Sequence, residues 1–245
     1  MILPKAPPIS HPSRSALSLR LCSVAELAEA DVQLLEAAAQ EHRRTPARRE
    51  LIAPGDVVRA RHALVSGWAC RQRTLLDGRR QILTVLLPGD LIGAIHRPHV
   101  SATTSVMAVT DVTTCCVPDA EPGSALADAY ASCASMEEQG LLSHIVRLGQ
   151  LNAYERLADW MLETHERLEI VGLARGGAFA MPLTQEMLGD TLGLTGVHVN
   201  RTIQSLRRDG LLSWQNGYMT IVDHDRMAAI VNYQPLRTRL SPDVP

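Results

Sequence analysis

Between Thr184 and Arg201 the chain gathers side chains suited to holding and reading nucleic acid. Arg201 presents a planar fork of donors that matches the O6 and N7 acceptors of guanine, and its neighbour Asn200 can pair with adenine or a phosphate. Val197 suits the methyl group of thymine, and His198 suits a phosphate. Thr184 and Thr195 are N-cap types. Together with Gln185 and Gly196 they set hydroxyls and amides at the start of a helix, where an anion is favoured. The plain alternatives are capping for the threonines, and solvation or a phosphate contact for Arg201 and His198.

The spacing around these groups is helical. Met187, Leu188 and Leu192 form one apolar stripe, and Val199, Ile203 and Leu206 form another. Gly193 between them can adopt positive φ, so the segment predicts a helix-turn-helix whose second helix presents Arg201 opposite its apolar stripe. Leu211–Gln215 and Tyr218–Ile221 flank Asn216-Gly217, a strand–turn–strand signature that predicts a β-hairpin wing.

Other chemistry-bearing residues are sparse. Five cysteines (Cys22, Cys70, Cys115, Cys116, Cys133) stand at scattered spacing without a CxxC pair, which suits free thiols in a reducing compartment. Strand alternation sends one of Cys115 and Cys116 inward, as a small hydrophobe, and the other outward. His96 and His99 lack a fixed third ligand and read as surface residues beside Pro98, so no metal site is expected. Arg79-Arg80 reads as a solvated hairpin tip or a contact with a partner protein. No nucleophile–base pair or complete ligand set is visible, which points away from an enzyme.

At 245 residues, with 46% hydrophobic and 20% charged side chains, the chain has material for two domains with a core each. Its net charge is −2, and residues 151–245 hold nine Arg and no Lys against eleven acids, so any DNA-binding cations must be placed locally. Residues 1–16 read as a disordered leader, and no apolar run is long enough to cross a membrane. An amphipathic helix is expected over Val24–His42, started by Ser23. Turn signals at Pro54-Gly55-Asp56, Ser66-Gly67, Asp77-Gly78 and Pro88-Gly89-Asp90 then predict a β-barrel within residues 17–118. Residues 119–151 predict a long helix. Leu126, Ala129, Cys133 and Met136, then Leu141, Ile145 and Leu148, read as its dimerisation seam, or alternatively as a face packed on the barrel. Residues 152–234 form the last unit: Asn152 and Glu155 make a capping box for a helix over Ala153–Leu168, Gly172–Ala180 reads as a loop, Asp223–Val231 as a final helix, and 235–245 as a flexible tail. The fold class is α+β: jelly-roll barrel, long helix, winged helix-turn-helix.

This order, over Leu17–Tyr233, resembles the Crp/Fnr family of bacterial transcription regulators. Gly193-Leu194-Thr195 and Asn200-Arg201 fall on its turn and recognition-helix positions. The resemblance implies a cytoplasmic homodimer on a two-fold symmetric site in double-stranded DNA, signals received in a cyclic-nucleotide-binding-like barrel, and RNA polymerase as a partner. Where cyclic-AMP-binding members carry Gly-Glu and Arg-Ser, this chain reads Gly93-Ala94 and Thr103-Thr104, with Arg97 the nearby cation, so cyclic AMP is not expected. With Cys22 alone near the N-terminus, the ligand pattern of an iron–sulfur cluster is missing. Haem, which needs only one or two axial ligands, stays open. Two alternatives remain: a ligand- or cofactor-gated sensor, with haem, a redox group or a nucleotide in the barrel, whose DNA binding is off without its effector, and a protein working mainly through protein contacts.

Overall fold

The computed structural model describes residues 14–58, 60–93 and 101–235. The leader up to Ser13, Ala94, His96, Arg97 and His99, and the tail from Leu236 lie outside the described residues.

The chain enters as α1 (Ala16–Cys22), capped by the Ser15 hydroxyl, which accepts from Ser18 N–H. The single helix expected over Val24–His42 is instead α2 (Glu29–Gln40). Ser23, expected to start it, caps the C-terminus of α1, and His42 already begins a strand. Strands β1 (His42–Thr45), β8 (Val112–Cys116), β3 (His62–Ser66) and β6 (Leu91–Ile92) form one sheet in that order. Strands β2 (Glu50–Ile52), β7 (Ser105–Ala108), β4 (Ala69–Thr74) and β5 (Arg80–Leu86) form the other. Leu64, Ala69, Leu86, Ile92, Val106, Ala108 and Val112 are buried between them. The expected hairpin about Asp77-Gly78 joins β4 to β5, with Gly78 at φ +86°.

After the barrel, α3 (Ala125–Gln150) runs for 26 residues, started by the Ser124 hydroxyl. It carries two apolar stripes. Leu126, Ala129, Cys133 and Met136, expected at a dimer seam, are buried with Leu17, Leu21 and Ala63 against α1 and the barrel. That face has the alternative role the spacing allowed. Leu141 and Leu148 are half-buried, and Ile145 is 65% exposed beside Leu142 at 57% and Val146 at 56%. The chain turns extended at Leu151, and the expected Asn152–Glu155 capping box opens α4 (Ala153–Ile170).

Arg147 of α3 is 2% exposed and pairs with both Asp159 and Glu163 of α4, which pins the two helices. Its Nη1 also lies 3.3 Å from Nδ1 of His144. An arginine only donates, so Nδ1 accepts and the imidazole is protonated at Nε2. Burial, then the Arg147 charge, push His144 from 6.5 down to about 4. The folded state therefore favours neutral His144, whereas the unfolded chain takes up the proton as pH falls below about 6.5. Stability that His144 contributes at pH 7 is lost progressively toward pH 4. In urea unfolding at pH 7 and 4.5, the wild type should lose roughly 2–3 kcal/mol more than His144→Gln. Equal losses would show that His144 is not held neutral.

The C-terminal unit is α5 (Gln185–Leu192), α6 (Gly196–Arg208), the wing strands β11 (Leu212–Gln215) and β12 (Tyr218–Ile221), and α7 (His224–Val231). The segment read as a loop, Gly172–Ala180, instead contributes β9 (Ala174–Arg175) and β10 (Ala178–Ala180), which extend the wing into a four-stranded sheet. Phe179 on β10 is fully buried and anchors this extension. The two units do not keep separate cores. Trp68, Cys70, Ile82, Val85 and Leu87 of the barrel join Leu157, Met161, Leu188 and Leu192 in one buried cluster.

Candidate nucleic-acid interface

Thr184 and Thr195 cap α5 and α6, accepting from Met187 N–H at 3.2 Å and His198 N–H at 3.3 Å. Gly193 stands at φ +65°, and Leu194 N–H closes on Gly189 O at 3.0 Å, so the first helix ends where the second must begin. This turn depends on a residue that sequence reasoning passed over. A Cβ on Gly189 would lie 2.5 Å from the Leu194 carbonyl oxygen and 3.5 Å from the Gly196 amide nitrogen, both backbone atoms of the turn. Gly189→Ala should therefore destabilise the protein by about 1–3 kcal/mol and weaken DNA binding with it. An unchanged melting temperature would contradict that packing. A Cβ on Gly196 would come 4.0 Å from Gln185 O and 3.9 Å from Glu186 N, so the two helix N-termini converge and bring Thr184, Gln185, Thr195 and Gly196 together.

Val199, Thr202, Ile203 and Leu206 are the buried face of α6. The opposite face holds Val197, 63% exposed, and the exposed His198, Asn200 and Arg201, so the expected readers share one surface. Gln204 and Arg208, exposed seven and eleven positions after Val197, continue the ridge. Their helical spacing from Val197 is the signal that could have found them. The wing stands beside this surface, its Asn216-Gly217 turn at φ +53° and +77°. No acid occurs on α6.

The unfavourable net charge is resolved by where the acids go. Asp159 and Glu163 are taken by Arg147, while Asp190 accepts from Arg80 at 2.5 and 2.8 Å. Glu166 accepts from the Tyr233 hydroxyl at 2.7 Å, Asp209 from that of Tyr154 at 2.8 Å. Asp223 and Glu155 cap helices. These acids hold the scaffold, and the three arginines of α6 face outward without them. Arg80 is thereby not the solvated tip residue its position suggested. It reaches back to α5, and with Gln81 donating to Thr191 O at 3.2 Å it fixes the helix-turn-helix on the barrel. Arg79 does stay at the tip, paired with Asp77.

Between the barrel sheets a cavity of about 550 Å³ is lined by Arg43, His62, Thr114, Cys116, Ile92 and Leu51 among others. Its described charges include Glu41, Glu50 and Asp56 against the one guanidinium of Arg43, a poor match to a cyclic phosphate diester. Among the described residues no three His, Cys, Asp or Glu side chains are grouped to hold a metal, so the donor set of an iron–sulfur cluster is not assembled from them. No described helix is long and apolar enough to cross a membrane.

Residues 42–127 match the family model of a cyclic nucleotide-binding domain, and residues 155–230 match a Crp-like helix-turn-helix domain. The chain is 30% identical to the transcriptional activator protein FnrL of Cereibacter sphaeroides, over 70% of this chain and 72% of that protein. It is also 30% identical to the nitrogen fixation regulation protein FixK of Bradyrhizobium diazoefficiens, over 71% and 75%. Among solved structures, FixK2 from Bradyrhizobium japonicum superposes with a TM-score of 0.67 at 25% identity, covering 77% of this chain and 95% of that one.

Proposed function

Since this chain belongs to the Crp/Fnr family of transcription regulators, we propose that it acts in the cytoplasm as a homodimer that reads a two-fold symmetric operator and works with RNA polymerase. The observation that carries this reading is the acid-free outer face of α6, where Arg201 stands opposite the buried Val199, Ile203 and Leu206. Its shape and charge suit insertion in a major groove, with Arg201 on guanine and the caps of α5 and α6 on phosphates.

The dimer reading is supported by the outer stripe of α3. Ala131, Ser135, Glu138, Leu142, Ile145 and Gly149 are all exposed and follow a four–three repeat, with Val146 beside them. Exposed apolar side chains in heptad register suit a second copy of the same helix. This register runs along the opposite side of the helix from Leu126 and Met136, and Leu141 and Leu148 flank it.

The charge balance of the cavity supports a regulator that does without cyclic nucleotide, and its volume leaves room for another small effector to gate DNA binding. Hydroxyl-radical footprinting of the purified protein on its DNA distinguishes a dimer from a single reader. Protection should fall on two patches one helical turn apart, about 10 base pairs centre to centre. A single protected patch would contradict the two-fold arrangement.

A further inference from the structure

Cys116 ends β8 with its Sγ 3.6 Å from Nε2 of His62, its register partner on β3. The other ring nitrogen, Nδ1, lies 3.2 Å from the carbonyl oxygen of Ala60. A carbonyl only accepts, so Nδ1 carries the proton and Nε2 turns a lone pair toward the thiol. A thiol with a base in contact is the arrangement that yields a nucleophilic thiolate.

The other cysteines lack it. Cys70, Cys115 and Cys133 are buried, and burial pushes Cys70 and Cys133 up to about 11. Half-buried Cys22 has the Arg14 guanidinium 3.9 Å away, a donor and not a base. Cys116 and His62 also open into the barrel cavity of about 550 Å³, space for a small organic molecule. Leu51 and Ile92 give that space apolar walls, and the excess of Glu41, Glu50 and Asp56 over Arg43 disfavours an anionic guest.

We propose that Cys116 and His62 form a covalent capture site for small uncharged α,β-unsaturated carbonyl compounds entering the barrel cavity. His62 Nε2 takes the thiol proton as sulfur adds to the β-carbon of the guest. The carbon–carbon π electrons move onto the carbonyl as an enolate, and the α-carbon then takes the proton back from Nε2. The products are a thioether and a saturated carbonyl, with no leaving group and no oxidant. The capture point lies where the barrel hands over to α3: Val117 and Pro118 follow Cys116 directly, and the Pro118 carbonyl accepts from the Tyr130 hydroxyl of α3 at 2.9 Å.

The test is site-resolved alkylation of the full chain by substoichiometric N-ethylmaleimide, itself an α,β-unsaturated dicarbonyl, followed by peptide mass mapping. Cys116 should label about ten times faster than Cys22, and His62→Gln should slow Cys116 about ten-fold or more. The Cys22 rate in the same sample should not change, which shows that the variant is folded. The wild-type pH–rate profile of Cys116 should carry an inflection that His62→Gln removes. Cys22 labelling as fast as Cys116, or a Cys116 rate and profile indifferent to His62→Gln, would overturn the assignment. Neither outcome bears on operator binding, which is measured separately on unlabelled protein.

Discussion

The double substitution Leu142→Glu and Ile145→Glu should yield a folded monomer that binds its operator at least a hundred-fold more weakly. Both side chains are more than half exposed in the single chain, so the change costs the isolated fold little. In a dimer paired along α3 each would be buried twice by symmetry, at about 1.5–3 kcal/mol per side chain, and the substitution puts four carboxylates in the seam. Two half-site readers on one particle gain roughly 10²–10⁴ in avidity over one, and a monomer forfeits that gain. Met136→Ala is the informative contrast. Met136 is 4% exposed and packed on the barrel side, so its truncation should lower stability by about 2–5 kcal/mol while the protein remains a dimer. Sedimentation velocity separates the two. A dimeric Leu142/Ile145 variant, or a dimer lost with Met136→Ala, would reverse the roles of the two stripes.

Arg201→Ala should cost roughly 1–3 kcal/mol at each half-site, about 5–150-fold in half-site affinity, and should relax preference at one base pair. The side chain is exposed and caps nothing, so melting should be unaltered. Arg208→Ala, further along the same ridge, should instead weaken all sequences alike and flatten the salt dependence. If Arg201→Ala lowered affinity without changing which base is preferred, Arg201 would be a phosphate contact, and the base reader would lie elsewhere on α6.

The helix-turn-helix and wing were legible because their signals are local. The N-caps Thr184 and Thr195, the positive-φ residue Gly193 and the Asn216-Gly217 turn each act within a few residues of the structure they specify. The two faces of α3 were not legible in the same way. Leu126, Ala129, Cys133 and Met136 have the spacing of a dimer seam, but the same spacing serves a helix lying on its own barrel. Only the position of α1 and the sheet decides between them, and α1, at seven residues, carries almost no periodic signal of its own. Arg80–Asp190 and Cys116–His62 join residues 110 and 54 positions apart, so no local pattern announces them. Gly189 was hidden for another reason. A glycine inside a helical stripe looks like a mild defect until the Leu194 carbonyl is seen to occupy the space of its missing side chain. The negative charge of the C-terminal half, a warning in the sequence, lost its force once Asp159, Glu163 and Asp190 were found spent on internal arginines.

Selection of random duplex DNA by the purified protein, at about physiological salt and without added effector, tests the DNA-reading dimer most directly. The expected result is enrichment of one two-fold symmetric sequence, its half-sites about one helical turn apart and a guanine in each that Arg201→Ala ceases to select. Enrichment of an asymmetric single site, or none from folded dimer, would contradict an α6 already set to read DNA in an effector-free dimer.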